Sequence, residues 1–239
     1  MCGRYVRKTG AQEIAHAFSA VDNERHLALN FNISPTSDVF VLRAIDGVVR
    51  LDVMSWGLVP VWAKDVSRAA SLINARSESV AEKPSFRNLI SRHRCVMPMN
   101  AYYEWKPMKA AGKPMKQPFA FFPGVGSGYD HESHFAVASL WSTWRDSEGN
   151  ELNTCVALTT EANERVSQVH NRMPVLLTKD GISQWLSDDV AAPLHLANGI
   201  PDAAVDYVPV STDVNNARNH GSHLLDAITL PEETPETLF

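Results

Sequence analysis

The apolar positions of this chain fall mostly in short runs of strand length. Val39 to Arg43 and Val48 to Trp56 are strand-like, and Asp46-Gly47 between them is a two-residue hairpin signal. Cys95 to Pro98, Tyr102 to Lys106, Phe119 to Phe122, His134 to Leu140 and Thr154 to Thr160 repeat the pattern. Helical periodicity is scarcer. Thr9-Gly10-Ala11-Gln12 reads as a capping box, followed by Ile14 and Phe18 on one helical face. Phe86 to Ser91, Glu161 to Gln168 and Gly181 to Leu186 are short helix candidates, the last with Thr178 or Asp180 near its N-cap. Asn74 to Glu82 reads as loop, as do the Lys/Gly/Pro-rich stretch between Lys106 and Gln117 and the Gly-rich stretch from Pro123 to Ser133. There is no internal repeat. Many short strands with few helices predict an α+β domain, mostly β, with barrel-like mixed sheets and short peripheral helices.

Length and charge narrow this picture. The 239 residues support one sizeable core, and nothing in the middle reads as a long linker. A single domain is expected over residues 1–230, with residues 231–239 an acidic, Pro-containing, frayed tail. With 22 Lys+Arg against 27 Asp+Glu, the net charge is -5. That excludes a generally basic nucleic-acid coat protein but leaves room for a local basic groove. No apolar run is long enough to span a membrane, and the first residues lack the apolar core of a secretory signal. The cysteines Cys2, Cys95 and Cys155 are far apart, without zinc or redox spacing, so a reducing cytoplasm fits best. Cys95 and Cys155 sit in apolar runs and read as structural. His131 and His134 are the only metal candidates worth naming, and no metal or other cofactor is expected. Nothing signals an oligomer, so a monomer is expected.

The most informative residue is Cys2. Initiator Met removal is expected ahead of a small residue, and it would leave a 1,2-aminothiol at the N-terminus. The α-amine, with a reference pKa of about 7.7–8.0, and the thiol, near 8.5, both have accessible nucleophilic forms at neutral pH. Such a pair captures an aldehyde as an imine and then closes on it through sulfur, giving a five-membered thiazolidine. The alternative is a small buried hydrophobe. Three further segments bear on the choice. Asn74-Ala75-Arg76-Ser77-Glu78 gathers an amide, a guanidinium and a carboxylate, although a capped helix start would do the same. Tyr103-Glu104-Trp105 puts a carboxylate in a strand. If Tyr103 and Trp105 share one face, Glu104 lies on the other, either toward solvent or in a cavity as a proton shuttle. His170 has the near-neutral pKa that acid/base work requires, with Arg172 nearby for an anion, although a lone His is more often structural.

Taken together, the motifs resemble the SRAP (SOS-response-associated peptidase) family. The resemblance rests on Met1-Cys2-Gly3-Arg4, Asn32-Ile33-Ser34-Pro35-Thr36, Trp56-Gly57-Leu58-Val59-Pro60-Val61-Trp62 and Asn74-Ala75-Arg76-Ser77-Glu78. It continues through Tyr103-Glu104-Trp105-Lys106, Thr159-Thr160-Glu161-Ala162-Asn163, His170-Asn171-Arg172-Met173-Pro174 and the run from Pro209 to Asn216. Each motif is weak alone; the ordered set, spanning nearly the whole chain, is specific. Two features depart from the family pattern: Asn171 stands where relatives often carry Asp, and the stretch from Gly124 to His134 is longer than expected.

The resemblance implies a covalent sensor and shield of abasic sites in single-stranded DNA, with Cys2 forming a thiazolidine DNA–protein crosslink after self-removal of Met1. It implies that Asn74 positions the Cys2 end and bonds the sugar-derived hydroxyl, that Glu104 moves protons, and that His170 assists ring opening. It further implies that Arg4, Arg76 and Arg172 contact phosphates, that Pro35 and Trp62 pack against bases, and that Thr159 meets the sugar. Trp56 is expected in the core. Two rival classes remain: an N-terminal-nucleophile Cys amidohydrolase of the glutamine amidotransferase type, and a non-catalytic single-strand binder.

Overall fold

The computed structural model describes residues 2–22, 24–110, 113–187 and 193–230. The chain opens with β1 (Arg4–Arg7), α1 (Ala11–Ala17), β2 (Asn30–Ile33), β3 (Asp38–Ile45) and β4 (Val48–Trp56). It continues through β5 (Asn74–Arg76), β6 (Arg94–Met99), β7 (Ala101–Ala110), β8 (Lys113–Pro123), β9 (Phe135–Arg145) and β10 (Glu151–Glu161). The last named elements are α2 (Glu164–Ser167), β11 (Arg172–Pro174), α3 (Lys179–Leu186) and β12 (Val205–Pro209). Among the described residues, no helix is long and apolar enough to cross a membrane.

Two sheets carry the architecture. One runs β12-β8-β7-β1-β2. The other runs β11-β10-β4-β3-β6-β9, and a further pairing of β10 with β9 closes it on itself into a barrel. The predicted mostly-β, barrel-like α+β class is therefore the observed one. The barrel strands bury both faces, which is why their apolar runs are nearly continuous. Val39, Val41, Cys95, Met97, Phe135, Val137, Cys155 and Ala157 face a core shared with Cys2, Tyr5, Tyr102 and Phe121 of the other sheet. Phe40, Leu42, Val96, Ala138 and Val156 face the opposite core, under α1, α3 and residues 80–90. Cys95 and Cys155 are buried and free, as their apolar surroundings predict.

The hairpin of β3 and β4 turns on Asp46 (φ 52) and Gly47 (φ 75), the left-handed pair that a two-residue loop requires. The N-cap of α3 is Thr178, whose side chain accepts from the Gly181 N–H. Four expectations need correction. The cap of α1 is Gly10, whose N–H donates to Glu13 at 3.0 Å, while Thr9 turns away to Asn100 and His134. The first residues of the expected 74–82 loop form β5, because β10 offers them a parallel partner. Phe86 to Ser91 is a string of turns rather than a helix. Glu161 to Gln168 yields helix only over Glu164–Ser167, since Glu161 ends β10 and Asn163 caps.

The fifth difference is the largest. The expected loop between Lys106 and Gln117 is mostly β structure: β7 and β8 stay in register from Tyr102↔Phe121 out to Ala110↔Lys113. Cross-strand hydrogen bonding carries the ladder past the point where local Lys, Gly and Pro content predicts a break. The acidic tail, residues 231–239, lies outside the described residues.

Candidate functional site

The site begins where β1 meets β7. The register pairs Arg4 with Tyr103 and Tyr5 with Tyr102, so alternation puts Tyr102 and Glu104 on the face of Tyr5. Tyr103 and Trp105 take the other face, where they pack with Val210 and Val214. Of the two placements open to Glu104, the buried one is observed: the side chain is 3% exposed.

Cys2 precedes β1 and is buried in the shared core. Its carbonyl accepts a 2.8 Å hydrogen bond from Asn74 Nδ2, which β5 presents from the edge of β10. Its thiol points to the Arg4 carbonyl at 3.7 Å. Burial, reinforced by the negative charge of Glu104, pushes that thiol well above its ordinary pKa. The other end of the Asn74 amide, Oδ1, is buried without a hydrogen-bond partner among the described residues.

His170 follows α2. Its Nδ1 lies 3.0 Å from the Arg172 backbone nitrogen and 3.2 Å from the Arg172 carbonyl oxygen, and its Nε2 turns toward Glu104. That nitrogen lies 3.8 Å from Glu104 Oε2. Burial lowers the His170 pKa, so the ring is neutral at pH 7. Burial also raises the Glu104 carboxyl to about 7. A carboxyl near half-protonation therefore stands beside a neutral imidazole. Glu104 and His170 line a cavity of about 410 Å³ together with Trp105, Lys116 and Asn215. A larger cavity, about 730 Å³, lies between α1, the β3–β4 turn and α3, away from all four of these candidates. Perturbed titratable groups, rather than volume, mark the chemical site.

The structure thus joins Cys2 to Asn74 and Glu104 to His170, with Cys2 in the electrostatic reach of Glu104. The other candidates are less uniform. Arg4 holds Asn32 Oδ1 at 2.8 Å and the Val214 carbonyl at 3.0 Å. Arg172 forks onto Glu78 at 2.7 and 2.9 Å and also holds the Thr159 carbonyl at 2.8 Å. The hydrogen bond from Arg172 keeps the Glu78 carboxyl below the usual range. Thr159 is buried beneath this pair. Arg76 is exposed next to Asn74 on β5. Pro35 is half-buried after β2, and Trp62 stands on the loop after β4 with 65% of its surface exposed. Trp56 is in the core, where it meets Tyr5 edge-on.

Among the described residues, no three His, Cys, Asp or Glu side chains come together as a metal site. Both ring nitrogens of His134 have partners, Thr9 Oγ1 and the His131 carbonyl, and His131 Nε2 meets the Leu177 carbonyl. Sequence reasoning missed Lys116, because a stretch read as loop gives no register. It also missed the buried Tyr102 hydroxyl, whose pKa burial pushes up and which shares the strand face of Glu104. Strand alternation from Glu104 is the signal that would have found it.

These contacts bring together segments scattered along the chain, and comparison with known proteins covers the same span. The chain is similar to the abasic site processing protein YoqW of Bacillus subtilis (strain 168), with 32% identity over 234 residues, 95% of this chain and 100% of that one. It is similar to the abasic site processing protein YedK of Escherichia coli (strain K12), with 26% identity over 238 residues, again 95% and 100% of the two chains. A solved structure from Bacteroides thetaiotaomicron superposes with a TM-score of 0.83 at 21% identity, covering 95% of this chain and 100% of that one, and so shares the fold. The family model described as SOS response associated peptidase (SRAP) matches residues 1–217, and the chain belongs to that family.

Proposed function

We propose that this protein processes abasic sites in single-stranded DNA by forming a covalent crosslink through Cys2. The observation that carries the reading is the buried Cys2, anchored through its carbonyl by Asn74 beside a carboxyl poised at about 7. The names of the relatives support abasic sites as the substrate class.

Removal of Met1 frees the Cys2 amine, which adds to the C1′ aldehyde of the ring-opened sugar. Protonated Glu104 gives its proton to the departing hydroxyl, leaving an iminium ion, water and a carboxylate. The carboxylate then takes the thiol proton, and the sulfur closes on the iminium carbon. The thiazolidine nitrogen keeps its hydrogen, Glu104 returns to its acid form, and one water is released without any redox change. A carboxyl near half-protonation suits both of its steps. The Asn74 Oδ1, buried without a partner, offers an acceptor for the sugar-derived hydroxyl. His170, a neutral imidazole beside Glu104, exchanges protons with the hemiacetal during ring opening. Capture by sulfur removes the imine that would acidify C2′ and invite strand cleavage, so the product is a shield. Arg76 and Trp62, exposed near or beside the candidate site in the chain, contact phosphate and base, Pro35 packs against a base, and Arg4, Arg172 and Thr159 shape the lesion pocket through the partners they already hold.

The test uses protein confirmed by mass to begin at Cys2 and a single-stranded oligonucleotide with one abasic site. A slow band on a denaturing gel is expected, absent with an intact or uracil-containing strand and absent in Cys2→Ala. No band from correctly processed protein overturns the reading, and glutamine hydrolysis becomes the next assay.

A further inference from the structure

Resting on that reading, we propose that the outer half of the β7–β8 hairpin is a second DNA-binding surface, which holds phosphates of the strand beyond the lesion without reading sequence. Residues 106–116 contain four of the chain's eight lysines, namely Lys106, Lys109, Lys113 and Lys116, and no Asp or Glu. The whole chain carries a net charge of -5, so the remainder carries -5 - 4 = -9. Positive charge is therefore concentrated on one projecting ribbon of an acidic molecule.

The ribbon has no packing role that accounts for it. Among the described residues, the core clusters reach Trp105 on one strand and Phe119 on the other and include none of 106–109 or 113–116. Lys109, Lys113 and Lys116 are exposed, and Lys106 is half-buried. A two-stranded ribbon without a third strand or a covering layer is marginal in water, and like charges along it weaken it further. A polyanion laid against it would offset both effects.

Position links the ribbon to the chemistry. Lys116 lines the same cavity as Glu104 and His170. Lys106 shares the strand face of Glu104, two residues on, and Lys113 shares it further out through its register with Ala110, while Lys109 and Lys116 take the face of Trp105, so both faces of the ribbon are basic. The charge therefore begins at the mouth of the site and runs outward. Of the nearer cations, Arg4 is engaged with Asn32 and the Val214 carbonyl and Arg172 with Glu78 and the Thr159 carbonyl, whereas Arg76 is exposed on the strand of Asn74. Phosphates on nucleotides flanking the lesion need other partners, and flexible ammonium groups suit a backbone bound as point charges.

The plain alternative is that the lysines, with Pro107 and Pro114, only guard exposed strand edges against aggregation. Salt dependence separates the two. Binding of a single strand carrying a tetrahydrofuran abasic analogue, which has no aldehyde, is followed by fluorescence anisotropy against salt concentration. Each single-strand phosphate contact contributes about 0.7 to the slope of log K against log salt. Replacing all four lysines by Gln is expected to make the slope shallower by up to about 2.8, while replacing all four by Arg preserves it. Between about 50 and 200 mM salt, the parent should thus lose up to about 50-fold more affinity than the Gln variant. The Lys109→Gln/Lys113→Gln pair, at the exposed tip, gives about half that change and covers the case in which the fourfold variant fails to fold. Unchanged slopes in a folded variant overturn the proposal and leave an edge guard. Because the analogue cannot crosslink, this result is independent of whether a true abasic strand reacts at Cys2.

Discussion

Glu104 shows how one residue acquires a reactive state from its surroundings. Burial raises its carboxyl from 4.5 to about 7, a shift worth about 3 kcal/mol between its two protonation states. The folded protein therefore holds a proton that the unfolded chain has released across the window from pH 4.5 to about 7. Stability attributable to this group falls as pH rises through that window and then levels off. Glu104→Gln is expected to raise the melting temperature relative to the parent more at pH 8 than at pH 5, as read by thermal denaturation. The same substitution should slow crosslinking about 100-fold in single-turnover assays. At Asn74 the prediction concerns position rather than protons. Asn74→Ala removes the 2.8 Å hydrogen bond to the Cys2 carbonyl, and a loss of about 1 kcal/mol at that anchor corresponds to about a fivefold slower rate in single-turnover crosslinking.

At the scale of elements, the turn after β4 is the constrained point. Gly57 has φ 139, and a Cβ there would stand 2.5 Å from the Ala69 carbonyl oxygen. Gly57→Ala is expected to destabilise the fold by about 2 kcal/mol or more, measurable by urea denaturation. The effect should extend to the exposed loop bearing Trp62, which leaves the barrel at this point. The same scale shows what the sequence hides. The β3–β4 hairpin was legible because Asp46-Gly47 names its own turn. The outer β7–β8 ribbon was not, because Pro and Gly argue locally for a loop while pairing between distant strands decides otherwise. The α1 cap falls at Gly10 rather than Thr9 for a similar reason: Thr9 finds better partners in Asn100 and His134.

On the scale of the whole molecule, two kinds of force meet at one site. On the proposed reading, the first encounter with DNA rests on local positive charge carried by an acidic protein, and salt screens it, whereas the completed crosslink is covalent and does not depend on charge. Raising salt before the reaction is expected to suppress crosslinking, whereas the same salt added afterward should release none of the adduct on a denaturing gel. The β10–β5 pairing places Asn74 on the barrel, and its hydrogen bond to the Cys2 carbonyl ties the barrel to the segment that precedes β1.

The sequence by itself determined the strand-rich class, the core placement of Trp56, Cys95 and Cys155, and the set of residues able to do aminothiol and acid–base chemistry. These follow from local periodicity and from intrinsic reactivity, which a residue carries wherever it lies. Tertiary structure decided that Glu104 faces inward, that His170 stands beside it, that Arg4 and Arg172 are engaged internally, and that the Lys-rich segment forms a ribbon. Burial and ion pairing depend on partners tens to hundreds of residues away, and no local pattern encodes the distance between them.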